Sequence, residues 1–202
     1  IVVCCSAGNE GNMAYEEEQY ALSSGYPDYG VVCNPASLPQ CVSVASVENS
    51  YYLSDAIQVG RDAFPYTDAS DNDAFYQAFS GSSLAYVVIP GLGADTDYLA
   101  EPTASAIARL NQANTPWLAL VQRGELYFSE KLANAAAAGA CGMICYNNVS
   151  GIVYMELDDD TVPAVSVTQS VGQALIEQAD STGLGSLSVS EDPLLVSSEE
   201  GG

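Results

Sequence analysis

Residues 117–148 read WLALVQRGELYFSEKLANAAAAGACGMICYNN, in which a strand, a helix and a second strand follow one another. The apolar run at 117–121 is typical of a strand buried on both faces of a sheet. Ser129 is a good helix N-cap, an alanine-rich stretch follows it, and Gly139 predicts the end of the helix. CGMICYNN, at 141–148, predicts a second buried strand that stops at two amides. This order indicates an α/β or mixed module.

The flanking sequence extends the same alternation. SLAYVVIPGLG, from residue 83, predicts a short strand that Pro90 and two glycines end. VPAVSVT, from 162, predicts a strand, QSVGQALIEQAD an amphipathic helix, and GSLSVS an edge strand. Towards the start, residues 1–6 predict a fully buried strand and 42–47 a second strand, while 12–30 predict a solvated loop or short helix. The fold class is therefore α/β to α+β.

The charge balance excludes several partners. The 202 residues include 26 Asp and Glu but only 4 Lys and Arg, giving a formal net charge of −22. Nucleic acids and anionic membrane surfaces require a basic footprint, so we expect neither as a partner. No apolar run has membrane-spanning length, and the start in mid-strand at Ile1 suggests an excised piece. With 48% hydrophobic residues, the chain can bury a sizeable core.

Histidine is absent, so no Ser-His-Asp triad can be assembled from these residues. The cysteine spacing does not suggest a metal site, and we expect no metal and no cofactor. Cys33 and Cys41 flank a short loop and could pair, or both could stay reduced. Cys141 and Cys145 are predicted to face one side of a strand, too far apart to bond. An enzyme that uses a carboxylate pair is a weaker alternative, because no acidic pair lies in a recognisable motif.

Residues 117–148, followed by VPAVSVTQSVGQALIE at 162–177, resemble the protease-associated (PA) domain. That family has a strand, Arg-Gly, an aromatic residue, Lys with an alanine-rich helix, and a strand that ends in Asn. The resemblance implies a mixed β-sheet or open barrel with flanking helices. The matching positions, for which we expect structural roles, are Arg123, Gly124, Phe128, Lys131, Gly139 and Asn147. Phe128 is expected to pack, Gly139 to cap the helix, and Arg123 to neutralise nearby carboxylates.

VVCCSAGNEG at 2–11, followed by NPASLPQCVSVASVEN at 34–49, resembles the subtilisin-like serine peptidases. This resemblance implies a short piece of a parallel-sheet peptidase domain. It also implies that Asn9 is the side-chain donor of the oxyanion hole, while the alternative is a turn residue without a catalytic role. Further positions that the resemblance places at the substrate-binding pocket are Ser6, Ala7, Gly8, Cys33, Asn34 and Pro35. Cys33 could equally be a loop cysteine.

The order of the two resemblances is that of cell-envelope, lactocepin-like subtilases, in which a PA domain is inserted into the peptidase domain. The implied organisation is a peptidase fragment (1–48), a connecting segment (49–79), a PA domain (80–195) and an exit segment (196–202). We therefore expect a fragment of a secreted, extracellular or cell-envelope serine endopeptidase, inactive by itself. Its PA domain would control access or bind a protein or peptide substrate, and residues 1–48 could mediate self-association. The alternative is a non-catalytic PA-type binding module, which has no reason to carry residues 1–48.

Overall fold

The chain forms two compact units, Ile1–Glu48 and Asn49–Gly202, which are described separately. The structure is a computed structural model that describes residues 2–6, 36–44, 51–69, 74–155, 157 and 162–197. The predicted loop or short helix at 12–30 lies outside these ranges.

In the first unit, strand β1 (Val3–Ser6) pairs in parallel with strand β2 (Cys41–Val44). The prediction of a fully buried first strand was wrong, because Val3 is 47% exposed and Cys4 is exposed as well. In the described part of this unit, β1 has β2 as its neighbour along one edge, and this pairing leaves the side chains of both strands accessible. The second strand begins at Cys41, and residues 45–47 of the predicted strand are not among those described.

The second unit contains strands and helices that alternate along most of its length. The strands are β3 (Tyr51–Ser54), β4 (Ala56–Val59), β5 (Asp62–Pro65), β6 (Thr67–Asp68), β7 (Ser83–Val88), β8 (Trp117–Gln122), β9 (Gly142–Tyr146), β10 (Ala164–Val167), β11 (Leu184–Val189) and β12 (Leu194–Ser197). The helices are α1 (Ala74–Phe79), α2 (Thr103–Gln112), α3 (Phe128–Ala137) and α4 (Gln169–Gln178), with a 3-10 helix at Asp95–Leu99.

Within the described residues, eight strands form one mixed sheet in the order β5-β4-β11-β7-β8-β9-β10-β6. Strands β7, β8, β9 and β10 run parallel to one another, and the strands on either side of them run antiparallel. A separate antiparallel pair joins β3 to β12. The predicted mixed sheet with flanking helices is confirmed.

The sheet is buried on both faces, as the continuous apolar run at residues 117–121 predicted. Leu118 and Leu120 of β8 point into one core, where Val171 and Leu175 of α4 cover them. Trp117, Ala119 and Val121 point into the opposite core, which is closed by residues of α2 and α3, among them Ile107, Leu132 and Ala135. Since side chains alternate along a strand, the central strands need apolar residues at every position.

Strand β11 is an interior strand, so the prediction of an edge strand was wrong. It pairs with β7 along one side and with β4 along the other. The alternating pattern of GSLSVS identified a strand with one buried face. However, alternation reports which face is covered and does not report whether both edges have partners.

Two local predictions around helix α3 also need correction. The N-cap position is Tyr127, with extended dihedral angles, and Ser129 lies inside the helix. Phe128 packs against the core, which draws the helix start one residue before the predicted cap. Cys145 lies in the core beneath α2 and α3, whereas Cys141 packs against the opposite core. Cys141 precedes the first residue of β9, so the alternation of that strand does not extend to it.

Candidate functional site: the carboxyl-edge loops

Three loops leave the carboxyl ends of parallel strands β7, β8 and β9 at one edge of the sheet. In the described part of the chain they comprise residues 89–102, 123–127 and 147–155, and we call them the carboxyl-edge loops. In open α/β sheets, ligands bind outside the carboxyl ends of the strands, because loops from adjacent strands converge there. This edge of the sheet is therefore a candidate binding site.

A single carboxylate organises the loop that follows β7. Oδ2 of Asp97 accepts hydrogen bonds from the backbone N–H groups of Leu92 at 3.1 Å, Gly93 at 2.9 Å and Ala94 at 2.9 Å. Gly91 and Gly93 have φ values of +69° and +81°, so the loop uses the left-handed region that glycine tolerates. A Cβ atom on Gly91 would lie 2.7 Å from Asp97 Oδ2 and would displace it.

Two side chains of helix α3 donate hydrogen bonds to backbone carbonyls of the same loop. Lys131 is completely buried, and its Nζ donates to the carbonyl of Leu92. Asn134, one turn further along the helix, donates to the carbonyl of Gly93 at 3.0 Å. Burial lowers the pKa of Lys131, while the negative potential of nearby groups, including the Asp97 carboxylate, opposes that shift. The loop backbone is therefore fixed from both its amide and its carbonyl sides.

Further contacts connect the three loops to one another. A Cβ atom on Gly124 would lie 2.5 Å from Leu92 Cδ2, so the first two loops pack closely here and a larger residue would require the Leu92 side chain to move. The Arg123 guanidinium donates to Asn147 Oδ1 at 3.1 Å, which links the second loop to the third. Asn147 also donates to the carbonyl of Gly151 at 2.9 Å within the third loop. The edge is thus one connected assembly.

The connected loops present large apolar side chains to solvent. Tyr127 is 80% exposed and Tyr154 is 76% exposed, and Leu99, Val149 and Ile152 are also exposed. Burial alternates over residues 152–155: Val153 and Met155 are buried, and Ile152 and Tyr154 are exposed. The outward side of an extended segment at a protein surface is normally polar. Apolar residues grouped there are typical of an interaction site.

The PA-motif residues have structural roles, as predicted. Phe128 packs against the core, and Gly139 follows helix α3 with φ +95°, the conformation of a C-terminal cap. Arg123 was expected to neutralise nearby carboxylates, and this stays a prediction, because the acidic residues at 156 and 158–160 lie outside the described residues. Among the described residues its guanidinium is hydrogen-bonded to the amide of Asn147, not to an acidic side chain. An amide oxygen at the end of β9 is simply the acceptor that the loop geometry brings within reach.

The residues predicted for the oxyanion hole and substrate pocket remain predictions. Ser6 is the last residue of β1, opposite Val44 of β2, and is exposed. The other predicted positions, which lie outside the described residues, are Ala7, Gly8, Asn9, Cys33, Asn34 and Pro35. The thiol of Cys41 is free, and it neighbours Cys5, to which it is hydrogen-bonded. That contact with Cys41 raises the pKa of Cys5.

Metal ligands and membrane-spanning helices both bear on function. Among these residues, no three Cys, Asp or Glu side chains lie close enough together to hold a metal ion. In the same ranges, no helix is both long enough and apolar enough to cross a bilayer.

Sequence reasoning missed several residues of the carboxyl-edge loops. It did not single out Asp97, Asn134, Tyr127 or Tyr154. The sequence PGLGADTD does carry a signal for the first of these, because glycines next to a short acidic side chain are typical of a loop closed onto its own amides. The two exposed tyrosines have no such signal, since aromatic residues at strand and helix ends are usually buried.

Comparison with known proteins defines the class of the second unit. Residues 83–175 match the PA domain family model, and they span β7 to α4, including all three carboxyl-edge loops. This part of the chain is a PA domain, as the resemblance predicted.

Relatives of the chain are proteinases. C5a peptidase of Streptococcus pyogenes serotype M3 is 26% identical over 183 residues, which is 90% of this chain and 14% of that protein. PI-type proteinase of Lactococcus lactis subsp. cremoris is 30% identical over 181 residues, 85% of this chain and 9% of that protein. The predicted resemblance to subtilisin-like cell-envelope proteinases that carry a PA domain is confirmed. The chain spans only a small part of the length of these relatives.

Solved structures that the chain matches include a zinc aminopeptidase from Bacillus subtilis, at 22% identity and a TM-score of 0.48, covering 74% of this chain and 32% of that one. They also include a psychrophilic subtilisin-like protease from Pseudoalteromonas sp. AS-11, at 14% identity and a TM-score of 0.43. That match covers 98% of this chain and 50% of the other.

Proposed function

We propose that this chain is part of a secreted subtilisin-like serine endopeptidase and that its PA domain binds polypeptide substrate. The observation that carries the proposal is the set of carboxyl-edge loops, which hydrogen bonds connect to one another and to helix α3 and on which Tyr127 and Tyr154 are exposed. A surface fixed before binding does not lose loop entropy when a partner docks, so exposed aromatic side chains there can contribute affinity. Polypeptide is the partner that a proteinase must hold.

The extent of the relatives' match favours a proteinase over a free-standing binding module. A match covering 90% of this chain leaves only about a tenth unmatched and must therefore reach well into residues 1–48. A non-catalytic PA-type receptor has no need for such a segment. In the longer enzyme, Asn9 would donate to the oxyanion, with Ser6, Ala7 and Gly8 along one wall of the substrate pocket. Cys33, Asn34 and Pro35 would lie at its far end. An extracellular or cell-envelope location accords with the proteinases that the chain resembles.

A peptide array tests the binding function. The 202-residue chain is applied to immobilised 12-residue peptides of mixed sequence, next to the variants Tyr127→Ala, Tyr154→Ala and Leu195→Ala. Leu195 is the matched control, because it is an exposed apolar residue on strand β12, outside the carboxyl-edge loops. We expect the two tyrosine variants to lose most of the signal and the Leu195 variant to retain it. Equal loss in all three variants would contradict the assignment of the site.

Two further measurements test the enzymatic part of the proposal. The 202-residue chain should not hydrolyse peptide esters or react with serine-directed inhibitors, because it has no histidine to serve as the base. In the longer enzyme, Asn9→Ala should lower turnover about 10²–10³-fold with little change in affinity, a magnitude known from subtilisin. A lowered melting temperature with an unchanged rate would instead identify Asn9 as a turn residue.

Self-association through residues 1–48 belongs to the same proposal. Val3 on β1 and Val42 and Val44 on β2 are exposed, as is Val2, which precedes β1. Exposed apolar strands of this kind favour pairing with a second chain. Analytical ultracentrifugation over a hundredfold range of concentration should show a dimer that Val42→Lys weakens. A strict monomer throughout that range would contradict it.

A further inference from the structure

The carboxyl-edge loops combine their exposed apolar side chains with negative charge. Asp95 precedes the exposed Leu99 on the first loop, and Glu125 lies two residues before Tyr127 on the second. Both carboxylates are exposed, as is Glu101. The exposed apolar side chains of the first two loops are therefore accompanied by carboxylates on their own loop.

The two cationic side chains at this edge of the sheet both make hydrogen bonds within the protein. In sequence, the three loops contain one basic residue, Arg123, and its guanidinium donates to Asn147. Lys131 lies below the loops, completely buried, with its Nζ on the carbonyl of Leu92. Arg123 is half-buried and Lys131 is fully buried, so little positive charge is exposed here to offset the exposed carboxylates. An anionic partner would meet uncompensated negative charge, whereas a cationic partner would be attracted.

The exposed tyrosines fit the same kind of partner. The face of a tyrosine ring attracts an ammonium or guanidinium group and also packs against the methylene stem that carries it. Burial alternates over residues 152–155, so the exposed Ile152 and Tyr154 lie on the same side of this segment. Alternate side chains of an extended peptide also lie on one side, so such a peptide can contact both.

We propose that the carboxyl-edge loops bind a cationic, extended segment of polypeptide, with Lys or Arg side chains over Tyr127 and Tyr154 and near Asp95 and Glu125. The proposal rests on the polypeptide-binding function above and specifies the substrate class of that same site. The loop frame fixed by Asp97, Lys131 and the Arg123–Asn147 bond presents these groups without rearrangement.

Fluorescence anisotropy with three labelled 12-residue peptides tests this inference. The first peptide carries four lysines among small and apolar residues, the second has glutamine in place of each lysine, and the third has glutamate. We expect the 202-residue chain at about 0.15 M salt to bind the lysine peptide at least tenfold more tightly than the glutamine peptide. The glutamate peptide should bind least. At this salt concentration the Debye length is about 8 Å, so distant charges contribute little.

Variants locate the effect on the surface. Tyr154→Ala should weaken binding of the lysine peptide about fivefold or more, while Tyr154→Phe, which keeps the ring, should retain most of it. The double variant Asp95→Asn/Glu125→Gln should reduce the preference for lysine over glutamine. Its matched control is Glu177→Gln/Asp192→Asn, which removes the same formal charge from exposed positions on α4 and after β11. The control should leave the preference unchanged.

The outcomes separate this inference from the function on which it rests. Equal binding of the lysine and glutamine peptides, both weakened by Tyr154→Ala, overturns the cationic preference and retains the polypeptide site. A lysine preference that both double variants reduce equally, and that Tyr154→Ala does not change, overturns the inference. In that case the general field of a chain with charge −22 attracts the peptide. Failure of all three peptides to bind contradicts both proposals.

Discussion

The Asp97 carboxylate is the group on which the conformation of the loop after β7 depends, and we predict that Asp97→Ala destabilises the second unit by about 3 kcal/mol. One oxygen accepts three backbone N–H bonds, at 2.9, 2.9 and 3.1 Å. A hydrogen bond to a charged group contributes about 1.5–3 kcal/mol. The three bonds share one charge, and water can reach the partly exposed amides once the carboxylate is gone. The loss should therefore be well below three times that value.

Thermal and urea unfolding followed by circular dichroism measure this loss. For a unit of this size, each 1 kcal/mol shifts the melting temperature by about 2–4 °C, so we expect a decrease of about 6–12 °C. Asp97→Asn, which retains one acceptor oxygen without the charge, should cost about half as much. Asp95→Asn is the control, because within the described ranges the Asp95 carboxylate accepts a single local bond, from the N–H of Thr96. It should change stability by less than about 0.5 kcal/mol.

Hydrogen exchange tests the mechanism directly. In Asp97→Ala the amides of Leu92, Gly93 and Ala94 should exchange much faster, while amides of β8 keep their protection. A loss of stability below about 0.5 kcal/mol, with these three amides still protected, would refute the reasoning. The bonds from Lys131 and Asn134 to the loop carbonyls would then be sufficient to hold it.

Three further predictions concern the core, and urea unfolding measures each of them. Tyr98→Phe should be neutral or stabilising by up to about 1 kcal/mol, because the buried Tyr98 hydroxyl has no partner among the described residues. Tyr86→Phe should instead cost about 1–2 kcal/mol, because the Tyr86 hydroxyl donates to the Leu175 carbonyl at 2.7 Å. The opposite order would contradict the assignment. Gly172→Ala should cost about 2 kcal/mol despite the better helix propensity of alanine, because the added Cβ would overlap the side chain of Tyr146. The control is Gln173→Ala, at the exposed neighbouring position, which should not be destabilising. Burial lowers the pKa of Lys131 below its ordinary 10.5, so in the pH window just below 10.5 the unfolded chain binds more protons at this residue than the folded chain does. The free energy of unfolding should therefore rise with pH in that window. The Lys131→Met variant should lack this rise, and parallel pH profiles for the two proteins would disprove the prediction.

The central strands and helices could be predicted from the sequence because their signals are local. Apolar runs identified β8 and β9, and Gly139 marked the end of α3 because its left-handed conformation excludes most other residues. Helix α2 was missed, since TASAIARLNQ has few large apolar residues and buries Thr103, Ala106 and Ile107. The hairpin of β4 and β5 was missed as well. Its turn at Gly60, with φ +64°, follows a segment without clear periodicity.

The candidate site was harder to predict, because its residues come together only through the order of the strands. Arg123 and Asn147 are hydrogen-bonded because β8 and β9 are neighbours in parallel register. Lys131 and Leu92 are far apart in sequence and meet because α3 packs beneath the loop that follows β7. The exposure of Tyr127 and Tyr154 depends on what the rest of the fold leaves uncovered, and no pattern along the chain reports that.

The antiparallel pair of β3 and β12 has a consequence for how this module can be exchanged between proteins. Tyr51 lies opposite Ser197, so the entry and exit points of the second unit are adjacent, about 5 Å apart between Cα atoms. A cassette with neighbouring ends can be spliced into a surface turn of a host protein without separating the two sides of that turn. Conversely, joining residues 50 and 198 through a short glycine linker would excise the cassette and leave the host chain continuous. Gain, loss and transplantation of the whole module are thus geometrically simple for this architecture.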